Sequence, residues 1–206
     1  MSDVRPLIAV LDYGIGNLRS AQKSLEKVGA DARLTADPAL IDDAAAVVLP
    51  GVGHFRPCMQ ALHDTGLARI AIDHAADDRP FLGICVGMQL LFEGSEEAPG
   101  VDGLGIMPGM IRRLPPGVKH PQIQWNRLRI RKPGPLVVGL PTEPWFYFVH
   151  SFAPEDSEYT TAVCDYGGEI TAITVKDRVW ATQFHPEKSG HNGLKLLTNF
   201  VEMARS

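Results

Sequence analysis

Apolar residues in the first half of the chain fall into short unbroken runs, separated by segments whose apolar positions recur every three or four residues. Leu7–Leu11 and the runs at 45–49 and 81–84 are too short for helices and too continuous for strands with one wet face. Each therefore reads as a strand buried on both faces. Between them lies a helical pattern over 18–28, where Leu18, Ala21, Leu25 and Val28 share one face and Gly29 supplies a stop. Shorter helical patterns follow at about 57–62, 67–76 and 86–92. Buried strands alternating with helices indicate crossover units and parallel pairing. Between 106 and 180 the pattern changes to short β-rich runs, at 145–149, 161–166 and 170–175, separated by Gly, Pro and Asp as hairpins require. A last strand is predicted over 179–184, with Val179, Ala181 and Gln183 on one face and Trp180, Thr182 and Phe184 on the other. The chain closes on an amphipathic helix over 193–204, with Leu194, Leu197, Val201 and Ala204 on one side. No repeat, low-complexity tract or linker divides the chain. The expectation is one α/β domain over 1–206, with a mostly parallel central sheet flanked by helices and an antiparallel β extension.

The densest chemical signal is Gly83-Ile84-Cys85-Val86-Gly87-Met88-Gln89, after a predicted strand and at the mouth of a predicted helix. With Cys in place of Ser, this has the spacing of a nucleophile elbow. A sharp strand-to-helix turn brings the residues two positions either side into close approach, where glycine avoids a Cβ clash. The helix start then offers N–H groups and partial positive charge to a thiolate at Cys85, and the Val86 N–H points where an oxyanion would form. The same heptapeptide also suits a buried structural cysteine beside packing glycines.

A second signal is Gln183-Phe184-His185-Pro186-Glu187. If the chain stays extended through Pro186, His185 and Glu187 project to the same side, and a carboxylate there would orient the imidazole. Taken alone, the pentapeptide suits a solvated His and Glu at a strand end. Cys85 at the end of another strand changes that weighting, because parallel strands present their carboxyl ends on one edge of the sheet. Together they suggest a Cys85–His185–Glu187 triad. Pro50-Gly51-Val52-Gly53, ending a further buried strand, could bring the Val52 N–H beside Cys85 as a second oxyanion donor, or could be a plain glycine-rich turn.

Composition narrows the classes without naming an activity. There are 20 Lys+Arg against 24 Asp+Glu, a formal net charge of −4, and no basic block that would suit nucleic acid or a membrane surface. Cys58, Cys85 and Cys164 are odd in number and form no C-x-x-C pair, which argues against a disulfide framework and a zinc site. Cys58 and Cys164 lack the setting of Cys85 and read as inert. The apolar run after Pro6 is too short for a signal peptide, and no stretch reaches the ~20 apolar residues of a membrane span. The expected location is cytoplasmic. Gly14-Ile15-Gly16-Asn17-Leu18-Arg19 begins like a dinucleotide fingerprint but has Arg19 in place of its last glycine, and no phosphate-binding loop of the GKS/T type occurs. No metal and no cofactor are expected.

In this order and spacing, these signals resemble the class I, triad-type glutamine amidotransferases over essentially the whole chain. The triad alone identifies only that superfamily. Finer motifs are Tyr13-Gly14-Ile15-Gly16-Asn17, Pro50-Gly51-Val52-Gly53-His54-Phe55, the elbow continued through Leu90-Leu91-Phe92, Trp125-Asn126 and Tyr147-Phe148-Val149-His150-Ser151-Phe152. These are similar to the glutaminase subunits of imidazole glycerol phosphate synthases, a family of histidine biosynthesis. The resemblance implies that Cys85 attacks the side-chain amide of L-glutamine, with Val52 and Val86 holding the oxyanion and His185, oriented by Glu187, protonating the departing ammonia. It also implies substrate contacts at Gly51, Gly53, Gln89, Glu97, Ser151 and Phe152. The implied partner is a (β/α)8-barrel cyclase subunit in a heterodimer, docked near Asn17, Trp125, Tyr147 and Lys188, which uses the ammonia. With 206 residues read as one glutaminase domain, the chain would leave that synthesis to another chain. Another class I glutaminase, such as the anthranilate-synthase subunit, stays open, although His150-Ser151-Phe152 and Pro50-Gly51-Val52-Gly53 weigh against it. So does a relative that only binds a partner, against which an intact triad argues. One departure stands out: Gln124 precedes Trp125-Asn126 where the family usually has a small glycine, a polar addition expected beside the partner surface.

Overall fold

The computed structural model describes residues 5–205. The chain runs β1 (Leu7–Leu11), α1 (Leu18–Lys27), β2 (Asp31–Thr35), α2 (Pro38–Asp42), β3 (Ala46–Gly51), α3 (Phe55–Asp64), α4 (Leu67–Ala75), β4 (Phe81–Cys85) and α5 (Val86–Leu90). It continues through β5 (Gly94–Ser95), β6 (Met110–Arg113), β7 (Gln122–Arg127), β8 (Arg129–Ile130), β9 (Trp145–His150), β10 (Phe152–Pro154), β11 (Thr160–Asp165), β12 (Glu169–Lys176), β13 (Val179–Thr182) and α6 (Gly190–Met203).

The unbroken apolar runs become the middle of an eight-stranded sheet of order β2-β1-β3-β4-β13-β12-β11-β8. The five strands from β2 to β13 pair in parallel. The three strands β12, β11 and β8 continue the same sheet antiparallel. Every residue of β3, β4 and β13 is buried, as strands covered on both faces must be. A three-stranded sheet, β10-β6-β5, and a two-stranded ribbon, β7-β9, flank this core. The architecture is the mostly parallel α/β sheet with an antiparallel part that the apolar pattern predicts.

Several boundaries differ from expectation, each for a local reason. The edge strand β2 has only Ala32 and Thr35 fully buried, too weak an apolar signal to register in the sequence. Next to it, α2 is started by Asp37, whose carboxylate accepts from the Ala39 N–H, with Pro38 in the first turn. The last parallel strand stops at Thr182 instead of reaching 184, because the chain bends there and the Thr182 hydroxyl donates to the Phe184 carbonyl, although the Gln183 N–H still donates to the Ala172 carbonyl on β12. In α6 the buried face centres on Leu196, Leu197, Phe200 and Val201, while Leu194 and Ala204 are only partly covered. Phe200 and Leu196, one turn apart, bury more apolar surface than Leu194 and Ala204 would, and they set the rotation of the helix. Among the described residues, no helix is long and apolar enough to cross a membrane.

Packing between β3 and α5 leaves no room for a side chain. A Cβ on Gly87 would stand 1.9 Å from the Leu49 carbonyl oxygen, so only glycine lets the helix approach the strand this closely. We expect Gly87→Ala to destabilise the protein by about 3 kcal/mol or more, because rigid backbone has to move. Urea unfolding compared with wild type would measure it.

Candidate active site

Parallel pairing brings three carboxyl-terminal strand ends together. Gly51 at the end of β3 is in register with Cys85 at the end of β4, and Thr182 at the end of β13 is in register with Ile84. Cys85 is the last residue of β4 and the N-cap of α5, and it holds φ 55° and ψ −114°. Positive φ in a non-glycine residue costs on the order of 1–3 kcal/mol and persists only where surrounding packing imposes it. Here the imposing contact is α5 pressed against β3. The strained turn places Cys85 at the start of the helix, whose first-turn N–H groups have no carbonyl within the helix to accept them.

His185 follows β13, and its own backbone is extended (φ −101°, ψ 96°). Pro186–Lys188 then forms a 3-10 turn, so the expected extended path through Pro186 is not what is found. Glu187 meets His185 through the turn: its Oε1 lies 2.8 Å from His185 Nδ1. Both side chains are 4% exposed. The backbone of His185 is held as well. Its N–H donates to the Tyr147 carbonyl on β9, and its carbonyl accepts from the Ser189 hydroxyl at 2.6 Å. Burial alone would lower the imidazole's proton affinity. The charge and hydrogen bond of Cys85, followed by those of Glu187, outweigh it and raise the pKa from 6.5 to about 10. Nδ1 faces the carboxylate, which leaves Nε2 for the sulfur.

These groups open into a cavity of about 340 Å3, within the range of small-molecule sites. Asn17, Val52, Gly53, Cys85, Val86 and Gln89 line it, together with Glu97, Ser151, Phe152, His185 and Lys188. Gly51 and Glu187 stand behind this wall, and Trp125 and Tyr147 pair outside it, with ring centroids 6.0 Å apart. Glu97 is fixed in place, since its Oε2 accepts from the Phe55 N–H and its Oε1 lies 3.0 Å from His54 Nδ1. Gln89 is buried and donates to the Phe152 carbonyl at 2.9 Å and to Gln183 Oε1 at 3.1 Å. Burial pushes the thiols of Cys58 and Cys164 up to about 11 and about 12, which suits inert roles. Among the described residues, no cluster of His, Cys, Asp and Glu could hold a metal ion.

Two polar residues of the site escape the sequence reading. Gln183 uses its Nε2 3.9 Å from the Cys85 sulfur, tying the nucleophile to the Gln89 network. Its spacing of two from His185 along an extended segment is the signal that could have found it. His150 also lines the cavity. Its Nδ1–H donates to the Phe152 carbonyl, and burial, despite that bond and helped by His185, lowers its pKa to about 4. It stays neutral and presents Nε2 as an acceptor.

The pH behaviour of His185 follows directly. Its affinity for the proton is higher folded than unfolded, so the stabilisation it contributes is complete below about 6.5 and drains away as pH rises through about 10. One imidazole resonance should remain in the protonated position across neutral pH and move only toward pH 10. In Cys85→Ala, where the main raising charge is gone, its midpoint should fall toward neutrality. A proton–carbon NMR titration of the two proteins would check both statements.

Known proteins are similar to this chain along nearly its whole length. The family model for glutamine amidotransferase class-I matches residues 9–204. The imidazole glycerol phosphate synthase subunit HisH of Methanothermobacter thermautotrophicus is 48% identical over 97% of this chain and 100% of its own length. The subunit of the same name from Synechococcus elongatus is 49% identical over 95% of this chain and 93% of its own. In fold, a solved glutamine amidotransferase superposes with a TM-score of 0.77 at 19% identity, covering 97% of this chain and 99% of the other. A chain of the solved PurLQS structure from Thermotoga maritima superposes with a TM-score of 0.71 at 18% identity, covering 97% and 99%. By sequence and fold together, the chain belongs to the class I glutamine amidotransferases, in their HisH branch.

Proposed function

We propose that the chain is a glutaminase that releases ammonia from L-glutamine for imidazole glycerol phosphate synthesis, with residues 1–206 acting as one domain in the cytoplasm. The observation that carries this reading is a strained cysteine at the mouth of a helix, facing a buried His185–Glu187 pair inside a small-molecule cavity. Glutamine's α-ammonium would meet the fixed Glu97 carboxylate and the remaining Gln89 amide oxygen, and its α-carboxylate the backbone N–H groups at Ser151–Phe152. The side-chain amide is then left at Cys85. The raised proton affinity of His185 keeps an imidazolium beside Cys85, ready to pair with the thiolate that attacks.

The steps follow from that pair. Cys85 Sγ adds to the amide carbon, and the carbonyl oxygen takes up the negative charge, received by the N–H groups of Val52 and Val86. The C–N bond breaks as His185 Nε2 passes its proton to the departing nitrogen, giving ammonia and a γ-glutamyl thioester. Neutral His185, still held by Glu187, takes a proton from water as its oxygen attacks the thioester. The thiolate then leaves, glutamate departs and the imidazolium is restored.

A separate (β/α)8-barrel cyclase is the proposed user of the ammonia, since in neutral water ammonia becomes ammonium and loses the lone pair that attacks. On the ribbon, Ile123, Trp125, Tyr147 and Val149 share one face: Ile123 pairs with Val149 and Trp125 with Tyr147. Ile123 and Trp125 are 57% and 47% exposed, while Val149 already lines the cavity with Asn17 and Lys188. An exposed apolar face that runs into the mouth of a cavity suits a partner that receives its product. Gln124 alternates to the other face, with Gln122 and Asn126. The departure noted in the sequence therefore projects away from the Trp125–Tyr147 face.

Two outcomes test the reading. Cys85→Ala should abolish synthesis from glutamine in the reconstituted complex while leaving synthesis from added ammonium salt intact; loss of both would mean Cys85 is structural. Ile123→Asp should weaken binding to the barrel cyclase by roughly ten- to hundredfold in calorimetric titration, the loss expected for a charge in an interface core.

A further inference from the structure

Behind the cavity wall, two buried side chains grip the strand end that carries Val52. The Tyr13 hydroxyl, in the loop between β1 and α1, donates to the Pro50 carbonyl at 2.8 Å. The Cys58 thiol, on α3, donates to the Val52 carbonyl at 3.4 Å. Tyr13 is 2% exposed and Cys58 0%, and neither lines the cavity. Neither belongs to the chemistry described above, and each commits its donor to the backbone of one short segment.

The position of these bonds along the chain is informative. The Pro50 carbonyl belongs to the Pro50–Gly51 peptide, and the Val52 carbonyl to the Val52–Gly53 peptide. Between them lies a single peptide, Gly51–Val52, whose N–H is the Val52 donor. Gly51 leaves this segment conformationally loose, and Gly53 already takes φ +97°. Fixing the planes on both sides removes most of that freedom, because the middle peptide can then turn only about its own two Cα atoms. The Tyr13 oxygen also sits 2.9 Å from where a Cβ on Gly51 would be, so it backs the glycine directly.

We propose that Tyr13 and Cys58 are positioning residues for catalysis: together they clamp the carbonyls on either side of the Gly51–Val52 peptide and so aim the Val52 N–H at the developing oxyanion. The clamp rests on the reading of Val52 as an oxyanion donor in a glutaminase. Both groups keep their protons at neutral pH, since burial pushes the Tyr13 phenol well up and the Cys58 thiol to about 11. A hydroxyl is the stronger donor and a thiol the weaker, so the larger effect belongs to Tyr13. Because the clamp acts on a group that matters in the transition state, its loss should appear in kcat and spare KM.

The test is steady-state glutamate release by the complete complex, with barrel cyclase and its nucleotide substrate present. Tyr13→Phe keeps the ring and removes only the hydroxyl; kcat should fall roughly ten- to hundredfold, the cost of misplacing an oxyanion donor without deleting it. Cys58→Ala should lose less, and Cys58→Ser, which keeps a donor for the Val52 carbonyl, should recover most of that loss. KM for glutamine should stay within about twofold, and synthesis from ammonium salt should not change. The clamp is overturned if wild type is active and Tyr13→Phe, Cys58→Ala and their combination match its kcat. It is equally overturned if the loss falls on KM, or on ammonium-dependent synthesis to the same extent. A wild-type complex that releases no glutamate sinks the glutaminase reading itself, and the clamp with it.

Discussion

The Leu49 carbonyl oxygen fills the space in which a side chain at position 87 would begin, and that contact sets how close α5 comes to β3. With the helix pressed against the strand, the chain leaving β4 has one residue in which to reverse direction. Cys85 is that residue, and its positive φ is the conformational consequence. Because β3 and β4 are in register at Gly51 and Cys85, the same contact brings the Val52 peptide beside the sulfur. A thiol, the first turn of a helix and the end of a neighbouring strand thus meet at one point. The backbone builds that point first, and the side chains then give it chemistry.

Charge is arranged there at some cost. A buried imidazole and carboxylate lose hydration, and such pairs are weak contributors to stability even when their geometry is good. Glu187 spends one oxygen on His185, while its Oε2 has no partner among the described residues. The neighbouring His150 is kept neutral by burial and adds no competing charge. What this gains is direction: Glu187 acts through His185 toward Cys85, and Cys85 and Glu187 together raise the proton affinity of the imidazole against its own burial. An arrangement selected for stability alone would satisfy Glu187 on both oxygens or replace the pair with apolar side chains.

The parallel core was legible because burial on both faces leaves an unbroken apolar run, and no other common element of that length does so. The elbow was legible because its glycines lie at fixed spacing around Cys85. The pairing of His185 with Glu187 was anticipated, but by alternation along a strand; it is a 3-10 turn after Pro186 that joins them. Edge strand β2 escaped because an edge buries too few residues to mark a pattern. Gln183, His150 and the Tyr13–Cys58 pair escaped for a different reason. Their roles lie in contacts between segments tens of residues apart, such as Tyr13 with Pro50 and Gln183 with Gln89, and no local periodicity encodes those.

Strand β9 shows how one element can serve both the core and the surface. Phe146 and Phe148 point inward onto Phe184, with ring centroids 4.1 and 5.5 Å away, which fixes the ribbon to the end of β13. From the other face, Tyr147 packs against Trp125, and Val149 borders the cavity. The backbone of that same Tyr147 accepts the His185 N–H, while its own N–H is taken by the Ser189 hydroxyl. The pair of exposed Trp125 and half-buried Tyr147 therefore stands a single hydrogen bond from the peptide that carries the imidazole. The Trp125 or Tyr147 side chain can be exchanged without touching the cavity, but a displacement of the strand cannot leave His185 where it is. Surface and site are joined through the backbone, and the alternation of β9 separates what a partner could touch from what the chemistry must keep still.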